Sequence, residues 1–418
     1  MKNEGNTRMR CLLSGELTEP VRLTPKVGGL RSVGGHSTGD KLIAFDKEAF
    51  SSFGLEGGKN AACSEEAASL FTTALDDLIR KAPIPLAGVM FLHWYKEHVP
   101  DELDILRFFD GIPVEGDASA INKADELIEA VQNGKYPNLL NNTYYILLLS
   151  GANGRIMIRS YLQGSYRDLV ENMQLWFNDL RLILPSGKGR TKTPKLFALY
   201  IRLLSYEKNT SEKNTRRLGE RMAKELSATE LHVKYSIING TSLPDRVPAK
   251  ALNYMRSRLF ASNENGGQEN LDSLACQWLK IWLIRKEREK GEVSMTEELN
   301  ENYPNPAYHA GRMLAVLAQI QHEALGDVGA GIVQRFYAAA STSPALVLGR
   351  LTTLTQHHLA KINNKAFVNR YERMLSEIAS KLQGAPLISL NLEQQTMFAL
   401  GYYQQKGQML ISKRNQEE

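Results

Sequence analysis

Cysteine is nearly absent. Cys11, Cys63 and Cys276 are scattered along 418 residues, with no C-x-x-C and no paired histidines beside them. That pattern excludes a disulfide framework and a structural zinc site, and it points to a reducing compartment, the cytoplasm. Long hydrophobic runs are missing too. The longest, "YYILLLSGA", is far short of the roughly 20 apolar residues that a membrane-crossing helix needs. The first residues, "MKNEGNTRMR", hold no apolar core, so they do not read as a secretory signal. Charge of one sign is not in great excess: the net charge is +5, and such a surplus informs only where it is clustered.

Catalytic motifs are also lacking. "SGKGRT" approaches a phosphate loop, but Gly189 follows Lys188 and the preceding segment reads as helix, not strand. His357 and His358 are adjacent; neighbouring helical positions point about 100° apart, so the two cannot share one metal ion. They read as one histidine at a core edge and one in solvent. His93 and His98 lack H-E-x-x-H spacing, and no G-x-S-x-G elbow or carboxylate cluster is present. The sequence therefore argues against an enzyme and names no cofactor or metal.

What is present reads as an α+β chain, β-rich first and helical after. Residues 10–60 are glycine-rich and read as short strands joined by tight turns. "SEEAASLFTTALDDLIRK" reads as a helix capped by Ser64, with Ala67, Leu70, Phe71, Ala74, Leu75 and Leu78 on one face. "LAGVMFLHWY" reads as a buried strand, and "KADELIEAV" as a short helix in a polar stretch. "TYYILLLSGANGRIMIRSYLQG" reads as a hairpin. Period-two alternation sets Arg155, Met157, Arg159 and Tyr161 on one face and Ile156, Ile158 and Leu162 on the other.

From Ser165 onward the pattern is helical. Thr193 is the expected cap of a helix with Pro194 in its first turn, and a charged helix ends at Gly291. Asn305-Pro306 and Ser343-Pro344 start two helices of a C-terminal bundle. Ala310, Leu314, Leu317 and Ala324 line the first, Leu348, Leu351 and Leu359 the second, and Phe367, Tyr371, Met374, Leu375 and Ile378 a third; a last helix runs from about Leu392 to Tyr403. Such a bundle is expected to fold alone. The expected division is a mixed domain over 1–162, a helical domain over 163–291 and the bundle over 292–418.

Three basic clusters are candidates for holding phosphates. The first is Lys26, Arg31, Lys41 and Lys59 among glycines; the second is Arg155 and Arg159 on the hairpin; the third is Lys188, Arg190, Lys192 and Lys195 in one loop. The bland readings are a salt-bridged hairpin face and an ordinary mobile connection. "EKNTRRLGERMAK" is interleaved with glutamate and reads as a solvated helix face. Composition alone stops at a nucleic-acid-binding scaffold.

Several segments, in order, resemble the large subunit of the type I-C CRISPR surveillance complex, the Csd family. They are "RCLLSGELTEPVRLTPKVGG", "GGHSTGDKLIAFDKEAFSSFGLEGGKNAACSEEAASLFTTALDDLI", "LLSGANGRIMIRSY", "YHAGRMLAVLAQIQHEA" and "RFYAAASTSPALVLGRLTTLTQHHLAKI". The resemblance implies a non-catalytic role in RNA-guided DNA binding, near the short adjacent motif and along the R-loop. It implies as partners the guide RNA, target double-stranded DNA, the backbone and guide-end subunits, small subunits and a recruited helicase-nuclease, with no membrane. DNA contact is expected on residues 34–60, with Ser37, Lys41, Lys59 and Asn60 as candidates. Along the bundle the available cations are Arg312, Arg335, Arg350, Lys361 and Lys365.

Relatives of this kind usually carry a longer region before the "CLLSGE" segment, so recognition of the adjacent motif is the least expected inheritance here. In the family the bundle resembles a small subunit, and it can be made separately from an internal start. "KGEVSMTEELNENYPNPAYHAGRML" then has two readings: an internal start at Met295, or a linker that contains a methionine. Another reading of the whole chain is an assembly scaffold that meets only guide RNA and other subunits.

Overall fold

The hairpin that alternation predicts frames the N-terminal part. In the computed structural model, residues 8–83, 85–86, 88–109, 129–130, 133–187, 189–207, 215–262, 270–292, 294–326, 328, 331–384 and 387–414 are described. The expected helix in "KADELIEAV" lies mostly outside them. The chain is α+β and divides into two compact units, Met1–Val170 with Thr215–Ser227, and Glu171–Asn214 with Ala228–Glu418.

In the first unit, β1 (Met9–Arg10) pairs with β2 (Leu17–Thr18), and β3 (Met90–Tyr95), β4 (Thr143–Ala152) and β5 (Arg155–Ser165) form an antiparallel sheet in that order. Asn153 (φ 51°) and Gly154 (φ 80°) supply the two left-handed residues that a tight hairpin turn needs. One sheet face, with Met90, Leu92, Leu149 and Ile156, packs with Val27, Leu30 and Val33 and with Leu75 and Ile79 of α1 (Glu65–Lys81). Burying side chains of this size contributes about 1.5–3 kcal/mol each. The other face carries Phe91, Tyr144, Ile146 and Leu148, all buried. Here Tyr95 meets Tyr166 edge-on, and the Tyr166 hydroxyl donates to the Leu103 carbonyl at 2.7 Å.

Two expectations shift. The Ser64 cap forms, its Oγ accepting from the Ala67 N–H at 3.1 Å. However, the buried residues of α1 are Ala67, Ala68, Thr72, Leu75 and Ile79, so that only Ala67 and Leu75 of the expected face are buried, while Leu70 is 65% exposed. The stripe is rotated by about one residue, or 100°. On β5, the register slips between Leu148, opposite Ser160, and Leu149, opposite Ile158. Arg159 is the extra residue, and the bulge separates Arg155 and Met157 from Tyr161, so the expected four-residue face does not exist.

The remaining helices are α2 (Ile105–Phe109), α3 (Pro137–Leu140), α4 (Tyr166–Leu180), α5 (Leu196–Ile201), α6 (Thr215–Asn239), α7 (Arg246–Ser262), α8 (Ser273–Lys290), α9 (Pro306–Leu325), α10 (Ile332–Ala340), α11 (Pro344–Leu359), α12 (Lys365–Lys381) and α13 (Leu392–Arg414). The second unit is built round α9 and α13. Asn305 caps α9 by accepting from the Ala307 N–H, and Pro306 fills its first position; Ser343 and Pro344 start α11 likewise, without a side-chain cap bond. The N-cap position of α5 is Lys195 rather than Thr193, without a side-chain cap bond, and Pro194 lies before the helix. Gly311 on α9 and Gly401 on α13 face each other's backbones. A Cβ at Gly311 would lie 1.9 Å from the Phe398 carbonyl oxygen, and one at Gly401 would lie 2.0 Å from that of Tyr308.

On one side α9 carries α10, α11 and α12; α13 also packs on α7 and α8. The Tyr403 hydroxyl donates to Ser273 Oγ at 2.9 Å, Arg256 donates to Gln395 at 2.8 Å, and Lys286 meets Glu393 at 2.8 Å. Residues 171–214 and 228–291 fall in the same compact unit as the expected bundle, with α7 and α8 packed on α13. That helix also runs to Arg414, past the expected end at Tyr403.

Gly311→Ala is expected to destabilise the chain by about 3 kcal/mol, since carbonyl oxygens rather than flexible side chains oppose the new methyl. Urea unfolding measures this, with Gly349→Ala, where nothing lies within 4 Å, as the mild control.

Candidate nucleic-acid interface

In the first unit the glycine-rich loop supplies its own anion. The His36 N–H donates to both carboxylate oxygens of Asp40, at 3.1 and 3.0 Å, and Asp40 is wholly buried. The Gly28 N–H donates to Asp76, and the Gly35 N–H to the Leu30 carbonyl. Gly34 and Gly35 lie so close to Gly151 on β4 that a Cβ at Gly151 would be 2.2 Å from the Gly35 Cα. These glycines serve close packing, and their N–H groups already have acceptors.

The candidate side chains around this loop differ in availability. Lys26 donates to Thr38 Oγ1 at 3.0 Å, and Asn60 closes its own turn by donating to the carbonyls of Leu55 and Gly57. Arg31 and Ser37 are exposed, and Lys41 is half-buried. Exposed Lys59 borders a groove of about 690 Å³. That groove mixes signs, with Arg22, Lys47 and Lys59 facing Glu19, Asp46, Glu48 and Glu56. Arg155 pairs with Asp46 at 2.5 Å and lies over the Phe50 ring; the Arg155 hydrogen bond holds the Asp46 carboxyl below its ordinary value. Arg159 donates to Ser150 Oγ at 2.7 Å.

One further ionisable cluster escaped the sequence. Asp104 meets His93 Nε2 and accepts from the Tyr95 hydroxyl, each at 2.7 Å, and it also accepts from the Leu106 N–H at the start of α2. Burial opposes the Asp104 charge, but His93, the Tyr95 hydroxyl and the Arg107 N–H together outweigh it, and the carboxyl stays below its ordinary range. The arrangement ties α2 to β3.

In the second unit the basic loop is an ordered turn. Thr191 N–H donates to the Leu182 carbonyl, and Leu184 N–H to that of Gly189. Gly187 lies against α13, where a Cβ would be 2.8 Å from the Ile411 nitrogen. Arg190 is paired with Glu297 at 2.7 Å, Lys192 is exposed, Lys195 is half-buried, and Lys188 lies outside the described residues. On the part of α6 that belongs to the first unit, Arg216 and Glu220 pair in solvent, whereas Arg221 and Glu225 pair half-buried.

Arg312 requires a correction. It is 1% exposed, donating to Gln405 at 2.8 Å and to His309 at 3.0 Å, and pairing with Glu377 at 2.8 Å. Its place on α9 faces α12 and α13, so its guanidinium is a core group. Arg335, Arg350, Lys361 and Lys365 are different: all are exposed on or beside α10, α11 and α12, and none forms an ion pair among the described residues. His357 on the same run is exposed and His358 half-buried. Sequence reasoning named these cations but missed the accompanying signal, that no acid occurs between Asp327 and Glu372. Among the described residues no three His, Cys, Asp or Glu side chains are grouped to hold a metal, and no helix is long and apolar enough to cross a membrane.

The stretch at Met295 is fastened. Met295 is 3% exposed, and its N–H and that of Ser294 both donate to Glu287 on α8 at 2.8 Å. Thr296 O accepts from Gln404 on α13 at 2.8 Å, and Glu297 O accepts from the Ile183 N–H at 3.0 Å.

The sequence model described as CRISPR-associated protein (Cas_Csd1) matches residues 1–410. The chain therefore belongs to the Csd1 family, that of the type I-C Cascade large subunit. It is a CRISPR-associated Cascade subunit. No curated protein matches the chain.

Arg312→Met is expected to cost about 3 kcal/mol, because it strands Glu377 and Gln405 without their donor. Arg350→Ala, on the exposed run, should stay within about 0.5 kcal/mol of the parent. Urea denaturation of both variants distinguishes a core cation from a surface one.

Proposed function

We propose that the chain binds nucleic acid in the type I-C effector through the exposed cations of α10 to α12, steadying target DNA in the R-loop without catalysing a reaction. The observation that carries this is the acid-free run from Asp327 to Glu372, with Arg335, Arg350, Lys361 and Lys365 exposed along it. Cations without carboxylate neighbours keep their full attraction for phosphates and release counterions on binding. Such contacts position a backbone and carry no sequence information. Guide pairing would read the target. Recruitment of a helicase-nuclease and a share in adjacent-motif recognition follow as family expectations, with Arg31, Ser37, Lys41 and Lys59 as the first unit's contributors.

The assembly-scaffold reading uses the same cations on guide RNA or on acidic faces of other subunits. Salt titration of duplex DNA binding by the assembled complex separates the two. Replacing Arg335, Arg350, Lys361 and Lys365 together by Ala should lower the magnitude of the log K against log salt slope by roughly 3–4, at about 0.9 per lost contact on B-DNA. Sequence preference should not change. An unchanged slope would leave the scaffold reading in its place.

We further propose Met295 as an internal start yielding the bundle as a separate small subunit. Intact mass spectrometry of the complex made from the native gene tests it. A species beginning at Met295 should appear, and should vanish in Met295→Leu. Its absence from the native complex would make the stretch a connection only.

A further inference from the structure

Cys11 and Cys63 are brought together by the N-terminal turn. The Leu12 N–H donates to the Ala62 carbonyl at 2.8 Å, and the Val21 N–H to the Cys63 carbonyl at 2.9 Å, so the start of the chain lies alongside the residues that lead into α1. Both thiols are free and buried, and Cys63 immediately precedes Ser64, whose N–H meets the Cys11 sulfur. The Cys11 sulfur also sits at the start of α1, accepting from the N–H of the capping residue Ser64 at 3.4 Å.

The surroundings of the two sulfurs are unequal. Ser14, through its hydroxyl and its backbone N–H, donates to Cys11 Sγ, as do the N–H groups of Ser64 and Leu13; these bonds bring the thiol down to about 6. Donors to a sulfur stabilise its anion, as does a helix N-terminus. Burial pushes the Cys63 thiol up, and the neighbouring Cys11 adds to this. The two thiols are therefore unequal, with Cys11 favoured as the attacking sulfur and Cys63 as the resolving one once their cover opens. Cover over the pair is thin: Leu12 and Leu13 in the turn are 67% and 61% exposed, and β1 and β2 are two residues each. A sheet that short opens readily.

We propose that Cys11 and Cys63 are a thiol–disulfide exchange site, which a low-molecular-weight disulfide oxidises to an intramolecular bridge. The Cys11 thiolate attacks one sulfur of the reagent, breaking its S–S bond and releasing one thiolate. The Cys63 thiol then loses its proton to solvent or to the departing thiolate and attacks Cys11 Sγ, releasing the second. Two protein thiols are oxidised, and one disulfide is reduced to two thiols, by two electrons. The bridge would close the glycine-rich segment between the two cysteines into a loop, and a cross-link of that length restricts the unfolded segment. In a reducing compartment such a bond is transient, as befits a response to oxidant. Cys276 takes no part, being buried in the other unit beside Met255.

The full-length chain is incubated with oxidised glutathione at neutral pH, quenched in acid, unfolded, alkylated and mapped by mass spectrometry. The expected product is two hydrogen masses lighter, has one cysteine left to alkylate, and yields a peptide pair joining Cys11 to Cys63; dithiothreitol reverses it. Cys63→Ser should instead trap one glutathione on Cys11. The proposal is overturned if the parent keeps three alkylatable thiols, or if it accumulates a glutathione adduct with no cross-link. Because the parent alone distinguishes these outcomes, the test does not depend on the variant folding.

Discussion

Two glycines set the geometry of the larger unit. Where α9 and α13 cross, Gly311 and Gly401 each occupy a place in which a methyl group would overlap a carbonyl oxygen of the opposite helix. Backbones that close leave no room for ordinary side chains at the crossing. The middle stretches of both helices are then buried, and several of their polar groups bond inside the unit. The Tyr308 hydroxyl donates to Gln404 at 2.6 Å, and Arg312 donates to Gln405. The other helices fill the two flanks of this pair, so the tolerance of the unit to change is set at one point.

That enclosure also sorts the basic residues. A charge removed from water is costly without a partner, and several cations of the interior have one. Asp179 meets both Arg285 and Arg288, Asp272 meets Arg202 and Arg258, and Lys234 pairs with Glu230 where both are fully buried. Cations consumed in this way hold the fold and contribute little to a distant field. The run from α10 to the first turns of α12 is the converse, with exposed cations and no acid between Asp327 and Glu372. The modest net charge of +5 therefore conceals an uneven distribution, and the distribution rather than the sum is what a polyanion meets.

How much of this was legible followed the range of the interactions. Signals contained within a few residues were readable. Ser64, Asn305-Pro306 and Ser343-Pro344 start helices, Asn153-Gly154 turns the hairpin, and Gly291 ends α8 with φ 76°. The stripe of Leu348, Leu351 and Leu359 on α11 was readable for the same reason. What failed depended on residues far along the chain. Nothing near Arg312 announces Glu377 or Gln405, and nothing in a glycine-rich loop reveals whether its N–H groups await a ligand or already hold Asp40. The bulge at Arg159 adds one residue to a strand whose alternation otherwise reads unbroken. Nothing in the sequence of α13 announces that α7 and α8 pack on it.

The same fact bears on the stretch around Met295. A slack linker has no reason to bury its methionine or to give its N–H groups to one carboxylate, and here Glu287 binds Ser294, Met295 and the Tyr303 hydroxyl together. In the whole chain the stretch is a fitted part of the helical unit. A chain beginning at Met295 would leave Glu287 behind, together with α7 and α8. It would strip the cover from Tyr403 and leave Gln395 and Glu393 without Arg256, Lys286 and Lys290. Exposing that flank of α13 exposes part of the core as well, and large bare apolar surface in a soluble domain marks a place for a partner. A separately made bundle would therefore be stable chiefly as a member of an assembly, with a neighbouring subunit replacing what α7 and α8 supply in the intact chain.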